Sequence, residues 1–350
     1  MDLGGVQGGR HVSDKYWKHV YNTLGPKPMI DSQMQAIPID EFFMQSNVFV
    51  DCYVRLSSGK YILIAKSGQS SPADALQKYK DKGVQVLFVS LEDYQKFVLM
   101  ALSAADEIIN NERISQDGRM AVLETAATAV YREIQNLGFS DEIFSHARLI
   151  NHATMMFVER NRDIKELIEA LGKVSESIVR HSMMVSLMST MIGHAHNWVK
   201  PATLEKLALG GFLHDIGKSK LPKEILTKHP SRFNHDEKII YQSHTETGKQ
   251  LLLQSKIVPD DVLLIVSEHH EYSDGSGFPL GLKDYQISPL ARVVTLANAF
   301  VRKMELLDDK NTASLEAYKE LQSLSANRFN KDALKALSLL LNPEEVKATG

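Results

Sequence analysis

Cysteine is almost missing from this chain. Cys52 is the only one in 350 residues, so no disulfide can form within the chain and a zinc site built on several thiolates is excluded. A lone thiol suits a reducing compartment, and a cytoplasmic protein is expected. Long apolar runs are missing too. None reaches the ~18 residues of a membrane span, and the first residues lack the charged-then-apolar pattern of a secretory leader, so membrane insertion is not expected. Charge of one sign is scarce: 40 Lys and Arg face 43 Asp and Glu, a net of −3. That balance gives no reason to expect binding to nucleic acid or to an anionic membrane. Internal repeats and low-complexity tracts are absent.

What is present divides in two. Residues 1–30 hold "GGVQGG" and "LGPKP" and read as loop. Residues 31–100 read as a small α+β domain. Val48, Val50, Cys52, Val54 and Leu56 alternate with Asp51, Tyr53 and Arg55, "SSGK" (57–60) makes a hairpin turn, and "YILIA" (61–65) returns. Ser71-Pro72 starts a helix, Gly83 closes it, and "VQVLFV" (84–89) forms another strand. This part carries no phosphate loop, catalytic triad or metal pattern, which leaves sensing, dimerisation and docking roles open. From about Leu91 the chain reads as helical. Helices at Ser103–Asn111 and Met120–Leu137, broken at Asp117-Gly118, connect across 101–160, and prolines from Pro201 to Pro289 punctuate the rest.

Histidine is where the chemistry lies. His181 falls on a stripe with Leu171, Val174, Ile178 and Val185, which step by three or four. His214 shares a stripe with Leu204, Leu207 and Gly211, and Asp215 follows it. His244 lines up with Ile240, Thr247 and Leu251; His269 lines up with Val262, Ile265 and Val266, and His270 follows. Asn298 falls on the apolar stripe of the next helix, with Leu290, Ala297 and Val301. Gly210-Gly211 within a helix costs ~1 kcal/mol per glycine relative to Ala, which implies a close neighbour. His194, His196, His229 and His235 fall near helix ends and read as surface. Five inward imidazoles with a carboxylate would each lose hydration on burial unless cations sit among them. Such a set suits Fe, Mn, Co or Zn. Asp215 is the natural bridge, having two oxygens to offer two ions ~3.5–4 Å apart, which points to hydrolysis of a phosphoester by a metal-bound hydroxide.

The runs "RHSMMVSLMS", "GFLHDIGKSKLPKEIL", "HTETGKQLL", "VSEHHEYSDGSGFPLGL" and "ISPLARVVTLANAF" resemble, in order and spacing, the HD-GYP branch of the HD phosphohydrolases. The resemblance implies an all-helical HD bundle over 161–345, after the small α+β domain. It implies a phosphodiesterase of cyclic di-GMP giving linear pGpG and in some members GMP. It implies two divalent transition-metal ions, iron first and manganese as the alternative. His181, His214 and Asp215 would hold one ion, and Asp215, His244, His269 and His270 the other. Asn298 would join the first set. Asp215 and Lys218 would be the catalytic residues, with Lys218 on a substrate phosphate, and Gly275, Gly277 and Phe278 would shape the substrate pocket. Partners would be cyclic di-GMP and proteins of its signalling, with no nucleic acid.

Four departures mark an unconventional member. The signature tyrosine is Phe278, and the aspartate of the family's Val-Ala-Asp segment is Asn298. Ser177 stands where three-metal members carry Glu, with Glu176 one place off the face. The Asp-Arg-Pro-Tyr-Arg run after the last ligand is replaced by "MELLDDKNTASLEAY". These changes support an alternative reading, a catalytically weak or inactive cyclic di-GMP binding adaptor.

Overall fold

The computed structural model of the chain describes residues 33–43, 50–68, 72–109, 111, 113–160, 178–196, 198, 200–307, 312–324 and 326–341. The expected loop-like stretch 1–30, the helix-capping Ser71, and Leu171, Val174, Glu176 and Ser177 lie outside the described residues. The chain separates into two compact units, 1–104 and 105–350.

The first unit holds a four-stranded antiparallel sheet of order β1-β4-β2-β3: β1 Met34–Pro38, β2 Cys52–Arg55, β3 Tyr61–Ala65 and β4 Val86–Ser90. Helices α1 (Asp40–Phe43) and α2 (Pro72–Asp81) join the strands, and α3 (Leu91–Ile109) follows β4. The β2–β3 hairpin turns at the expected place. Leu56 N donates to Lys60 O at 2.8 Å, and Gly59 supplies φ 79°. Pro38 sits on edge strand β1, where its missing N–H deprives no interior ladder. The alternation expected of β2 fails at one residue: Val50, Cys52 and Val54 are buried and Arg55 is exposed, but Tyr53 is buried too, and Val48 lies outside the described residues. An interior strand covered on both faces has no solvent side to alternate with. Burial there, with Asp51 and Asp93 nearby, pushes the Cys52 thiol up to about 12.

The second unit is helical: α4 (Gln116–Leu137), α5 (Asp141–Arg160), α6 (Ile178–Ala195), α7 (Pro201–Leu213), α8 (Lys223–Thr227), α9 (His235–Gln242), α10 (His244–Leu252), α11 (Asp260–Glu268), α12 (Pro289–Leu306), α13 (Ala313–Leu324) and α14 (Lys331–Leu341). Two connecting helices differ from expectation. The one placed at 103–111 is the last part of the longer α3. The break lies before Gln116 instead of at Asp117-Gly118, because the Ser115 side chain caps α4 by accepting from Gly118 N at 3.2 Å. Gly118 thus belongs to the first turn.

α6 is the centre of this unit and packs against α5, α7, α12 and α14. It is buried on nearly every side from His181 to Gly193, as a helix with no polar face must be. Gly210-Gly211 explains how α7 comes so close. A Cβ at Gly211 would lie 2.7 Å from the Ser186 backbone of α6, and one at Gly210 would lie 2.4 Å from Ile265 of α11. The Tyr131 hydroxyl of α4 donates to Phe212 O at 2.6 Å and lies 2.7 Å from Ser182 Oγ, so α4 holds α6 and α7 together just before His214.

Candidate metal centre

Helix ends place most of the histidines. His214 follows the last residue of α7, His269 caps α11, and His244 opens α10 directly after α9. Carbonyls in a last helical turn have no partner within the helix. Each ring takes one: His214 Nδ1 donates to Gly211 O at 2.7 Å, His244 Nδ1 to Tyr241 O at 2.5 Å, and His269 Nδ1 to Val266 O at 2.9 Å. A carbonyl only accepts, so Nδ1 carries a proton, and in the neutral tautomer the Nε2 lone pair points inward.

All three lone pairs converge on Asp215. Oδ2 lies 3.2 Å from His214 Nε2 and 3.9 Å from His181 Nε2. Oδ1 lies 3.4 Å from His244 Nε2 and 3.6 Å from His269 Nε2. The carboxylate thus divides its oxygens between two groups of rings. The two groups able to hold an ion are His181, His214 and Asp215, and Asp215, His244, His269 and His270. The 3₁₀ turn Ile216–Lys220 holds Asp215 there. A Cβ at Gly217 would lie 2.0 Å from His244 O, so that turn rests directly on α10.

Whether these residues fit a cation can be judged from the lone pairs. His244 Nε2 and His269 Nε2 face each other at 3.3 Å, each with its proton on the far nitrogen. Asp215 Oδ1 and the Nε2 atoms of His214 and His270 are buried without a hydrogen-bond partner. Acceptors pointed at acceptors in a dry interior are strongly unfavourable unless a cation lies between them. Protonation does not supply that charge. Burial lowers His214 and pushes His269 down to about 3, and burial with His269 and His244 beside it takes His270 well below 6.5. Burial alone would raise the Asp215 carboxyl, but His214 and Lys218 hold it well below the usual range. The site therefore sets an anionic carboxylate among imidazoles of which His214, His269 and His270 resist protonation, the donor set that divalent transition metals take.

Around this core lie residues that the motif reading passed over. His181 Nδ1 faces both oxygens of Glu305 at 3.2 Å, and its Nε2 lies 3.0 Å from Asn298 Oδ1. A carboxylate behind a ligating ring fixes its orientation and raises its basicity. Arg302 Nε donates to Asn298 Oδ1 at 3.0 Å and its Nη2 to Tyr241 OH at 3.2 Å. Asn298, Arg302 and Glu305 step by four and three, so the stripe of α12 carried the signal for both missed residues. Tyr241 lies one turn before His244 by the same rule.

The core opens into a cleft of about 700 Å³ whose lining includes His181, Asp215, Lys218, Arg180 and Arg302, with Leu226, Pro230 and Leu306 among its apolar residues. Lys218 Nζ sits 2.5 Å from Asp215 Oδ2 and 5.4 Å from the centre of the Tyr241 ring. His229 is exposed and lines the cleft; His194 and His235 are exposed away from it, and His196 is half-buried. Gly275, Gly277 and Phe278 are not among the cleft-lining residues. Phe278 stacks on His270 at 4.4 Å, and a Cβ at Gly277 would lie 2.4 Å from His270 O. The Glu271 carboxylate pins the segment that follows by accepting from Leu280 N and Leu282 N at 2.6 and 2.8 Å. That loop thus supports His270 from behind.

Residues 146–332 match the family model described as HD domain. A cyclic di-GMP phosphodiesterase of Thermotoga maritima is 27% identical over 74% of this chain and 72% of its own length. Cyclic di-GMP phosphodiesterase PA4108 of Pseudomonas aeruginosa is 36% identical over 33% of this chain and 28% of that protein. The 3'3'-cGAMP-specific phosphodiesterase 1 of Vibrio cholerae is 38% identical over 27% of this chain and 21% of that protein. The chain thus spans under a third of the latter two. Among solved structures, Bd1817, a HDG"Y"P protein from Bdellovibrio bacteriovorus, superposes with a TM-score of 0.63 over 88% of this chain and 99% of that one. At 20% identity the likeness is one of fold. No helix among the described residues is long and apolar enough to cross a membrane.

Proposed function

Because the chain belongs to the HD-domain family and carries the HD-GYP order of motifs, we propose that it is a metal-dependent phosphodiesterase of a cyclic dinucleotide, with cyclic di-GMP as substrate and linear pGpG as product. One observation carries this reading: Asp215 turns one oxygen to His181 and His214 and the other to His244 and His269. That arrangement suits two ions sharing one carboxylate. Iron is the first choice and manganese the second. Such ions supply charge neutralisation at phosphoryl oxygens and a nucleophile at neutral pH.

The chain's own residues supply the remainder. Asp215 and the five histidines would hold the ions, and Glu305 faces His181 and orients it. Asn298 Oδ1 stands where it could complete the His181 side. Lys218 carries a mobile charge on a flexible stem and can exchange the Asp215 oxygen for a phosphate oxygen. The cleft combines these cations with apolar side chains, as a ligand with phosphates and flat bases requires. The loop with Gly275, Gly277 and Phe278 shapes the site by backing His270.

A second reading, a binding adaptor with little or no turnover, is favoured by Phe278 and Asn298. The Phe278 ring lies on His270 without a hydroxyl to offer a ligand. Protein prepared without air and loaded with iron or manganese decides between them in a single-turnover assay with cyclic di-GMP. The enzyme reading expects pGpG from the parent, none from His269→Ala, and loss of both ions in Asp215→Asn. Tight binding without hydrolysis under either metal establishes the adaptor. Absence of both binding and hydrolysis removes cyclic di-GMP as the ligand.

A further inference from the structure

The run "MELLDDKNTASLEAY", which stands where the family keeps Asp-Arg-Pro-Tyr-Arg, contains no arginine. Lys303, just before it, is engaged with Glu320 of α13. Arg302 instead lines the cleft with Asp215 and Lys218. Its side chain is 33% exposed, and Nη2 lies 3.7 Å from Asp215 Oδ2. Asn298 and Tyr241 take one N–H each of its guanidinium and fix its plane. Five N–H groups are available in that fork, so donors remain for an oxyanion.

The partner chosen to hold Nε matters. An aspartate at 298 would form an ion pair with Arg302 and use its charge. The amide of Asn298 orients the guanidinium without neutralising it. The nearby anions are Asp215 and Glu305, and Glu305 faces His181 with both oxygens. When cations occupy the Asp215 carboxylate, Arg302 and Lys218 lose its negative charge together; Glu305 stays beside Arg302, and an anionic ligand in the cleft takes the place that Asp215 held between the two cations.

We propose that Arg302, oriented by Asn298 and Tyr241, is a substrate-binding residue that with Lys218 clamps one phosphodiester group in the cleft. This rests on the reading of the cleft as a cyclic dinucleotide site. Arg302 contributes a planar, two-pronged contact and Lys218 a point charge. Asn298 and Tyr241 are positioning residues for it.

The test uses the full chain, metal-loaded, with two probes measured by calorimetry: cyclic di-GMP and bis(p-nitrophenyl) phosphate, a phosphodiester with no nucleobase. Arg302→Ala is expected to weaken both about tenfold to a hundredfold with parent-like metal content and circular dichroism. Arg302→Lys should recover part of the loss, and Tyr241→Phe should show a smaller loss because one anchor is gone. Parent-like affinity for both probes in Arg302→Ala overturns the proposal. So does loss of metal in both Arg302→Ala and Arg302→Lys, which would make the residue a support for Asp215. A parent that binds bis(p-nitrophenyl) phosphate through Arg302 but not cyclic di-GMP keeps the clamp and rejects the cyclic di-GMP reading. A parent that binds neither probe overturns both.

Discussion

Asn298 Oδ1 lies within 3.0 Å of two nitrogens, His181 Nε2 and Arg302 Nε. His181 is in the converse position, with acceptors at both ring nitrogens, and a ring with a single proton can serve only one of them. An ion between His181 and Asn298 would resolve the mismatch. A charged ligand holds a dication more firmly than a neutral one, so Asn298→Asp should slow chelator removal of the ion on the His181 side. Metal content followed over time in a chelator checks this. Unchanged retention with an intact fold would leave Asn298 solely as the acceptor for Arg302. Lys218 separates binding from ligation in a different way. As an ammonium it has no lone pair for a metal, so Lys218→Ala should retain the ions. It should weaken cyclic di-GMP binding by about 1.5–3 kcal/mol, the worth of a charge-assisted hydrogen bond. Turnover should fall at least as far, since charge builds on the phosphate in the transition state. Loss of metal together with affinity would show that Lys218 mainly steadies Asp215.

Among the elements, what could be read in advance followed from periodicity. His181, His214, His244 and His269 were on apolar stripes, and their helices do bring them to one carboxylate. Gly210-Gly211 signalled a close helix, and two helices meet it there. Less legible were features that depend on neighbours far apart in sequence. Tyr53 is buried against the expected alternation because β2 lies between β4 and β3, and strand order is not written in any one strand. Tyr241 and Arg302 meet through a 61-residue separation, and no family motif marks either. The cap at Ser115 was hidden by Asp117-Gly118, a pair that usually signals a turn. The 3₁₀ turn after Asp215 also had no signal beyond its glycine, yet Gly217 is what lets it rest on α10. Gly217→Ala places a Cβ 2.0 Å from His244 O, a backbone atom that cannot rotate away. Overpacking of this kind costs typically 1–3 kcal/mol, and here the displacement separates Asp215 from His244. A lower urea midpoint with reduced metal content is expected; a parent-like value of both would mean that the turn and α10 can part freely.

Across the whole molecule, the site is a cost to the metal-free fold. Three imidazoles are buried in their neutral form, with His269 pushed down to about 3 by burial and His214 and His270 shifted the same way. Their ordinary value is 6.5, so on acidification the unfolded chain takes up protons that the folded chain refuses. A depressed folded pKa gives stability that is present above 6.5 and lost as pH falls toward the folded value. For His269 alone the loss between pH 7.5 and pH 5 is ~2 kcal/mol, with His214 and His270 adding in the same direction. Asp215 also titrates low when folded, but its contribution is lost below its ordinary 3.8 and does not enter this window. Bound ions add stability because they occupy the folded state alone, and they compete with protons for the same nitrogens. Urea unfolding of chelator-treated protein should therefore show falling stability from pH 7.5 to pH 5. Metal-loaded protein should start higher and fall more steeply as the ions leave. A metal-free protein whose stability does not change over that range would mean that its histidines have found protons or water, and that the inward lone pairs of His214, His244 and His269 are not what holds a metal in this fold.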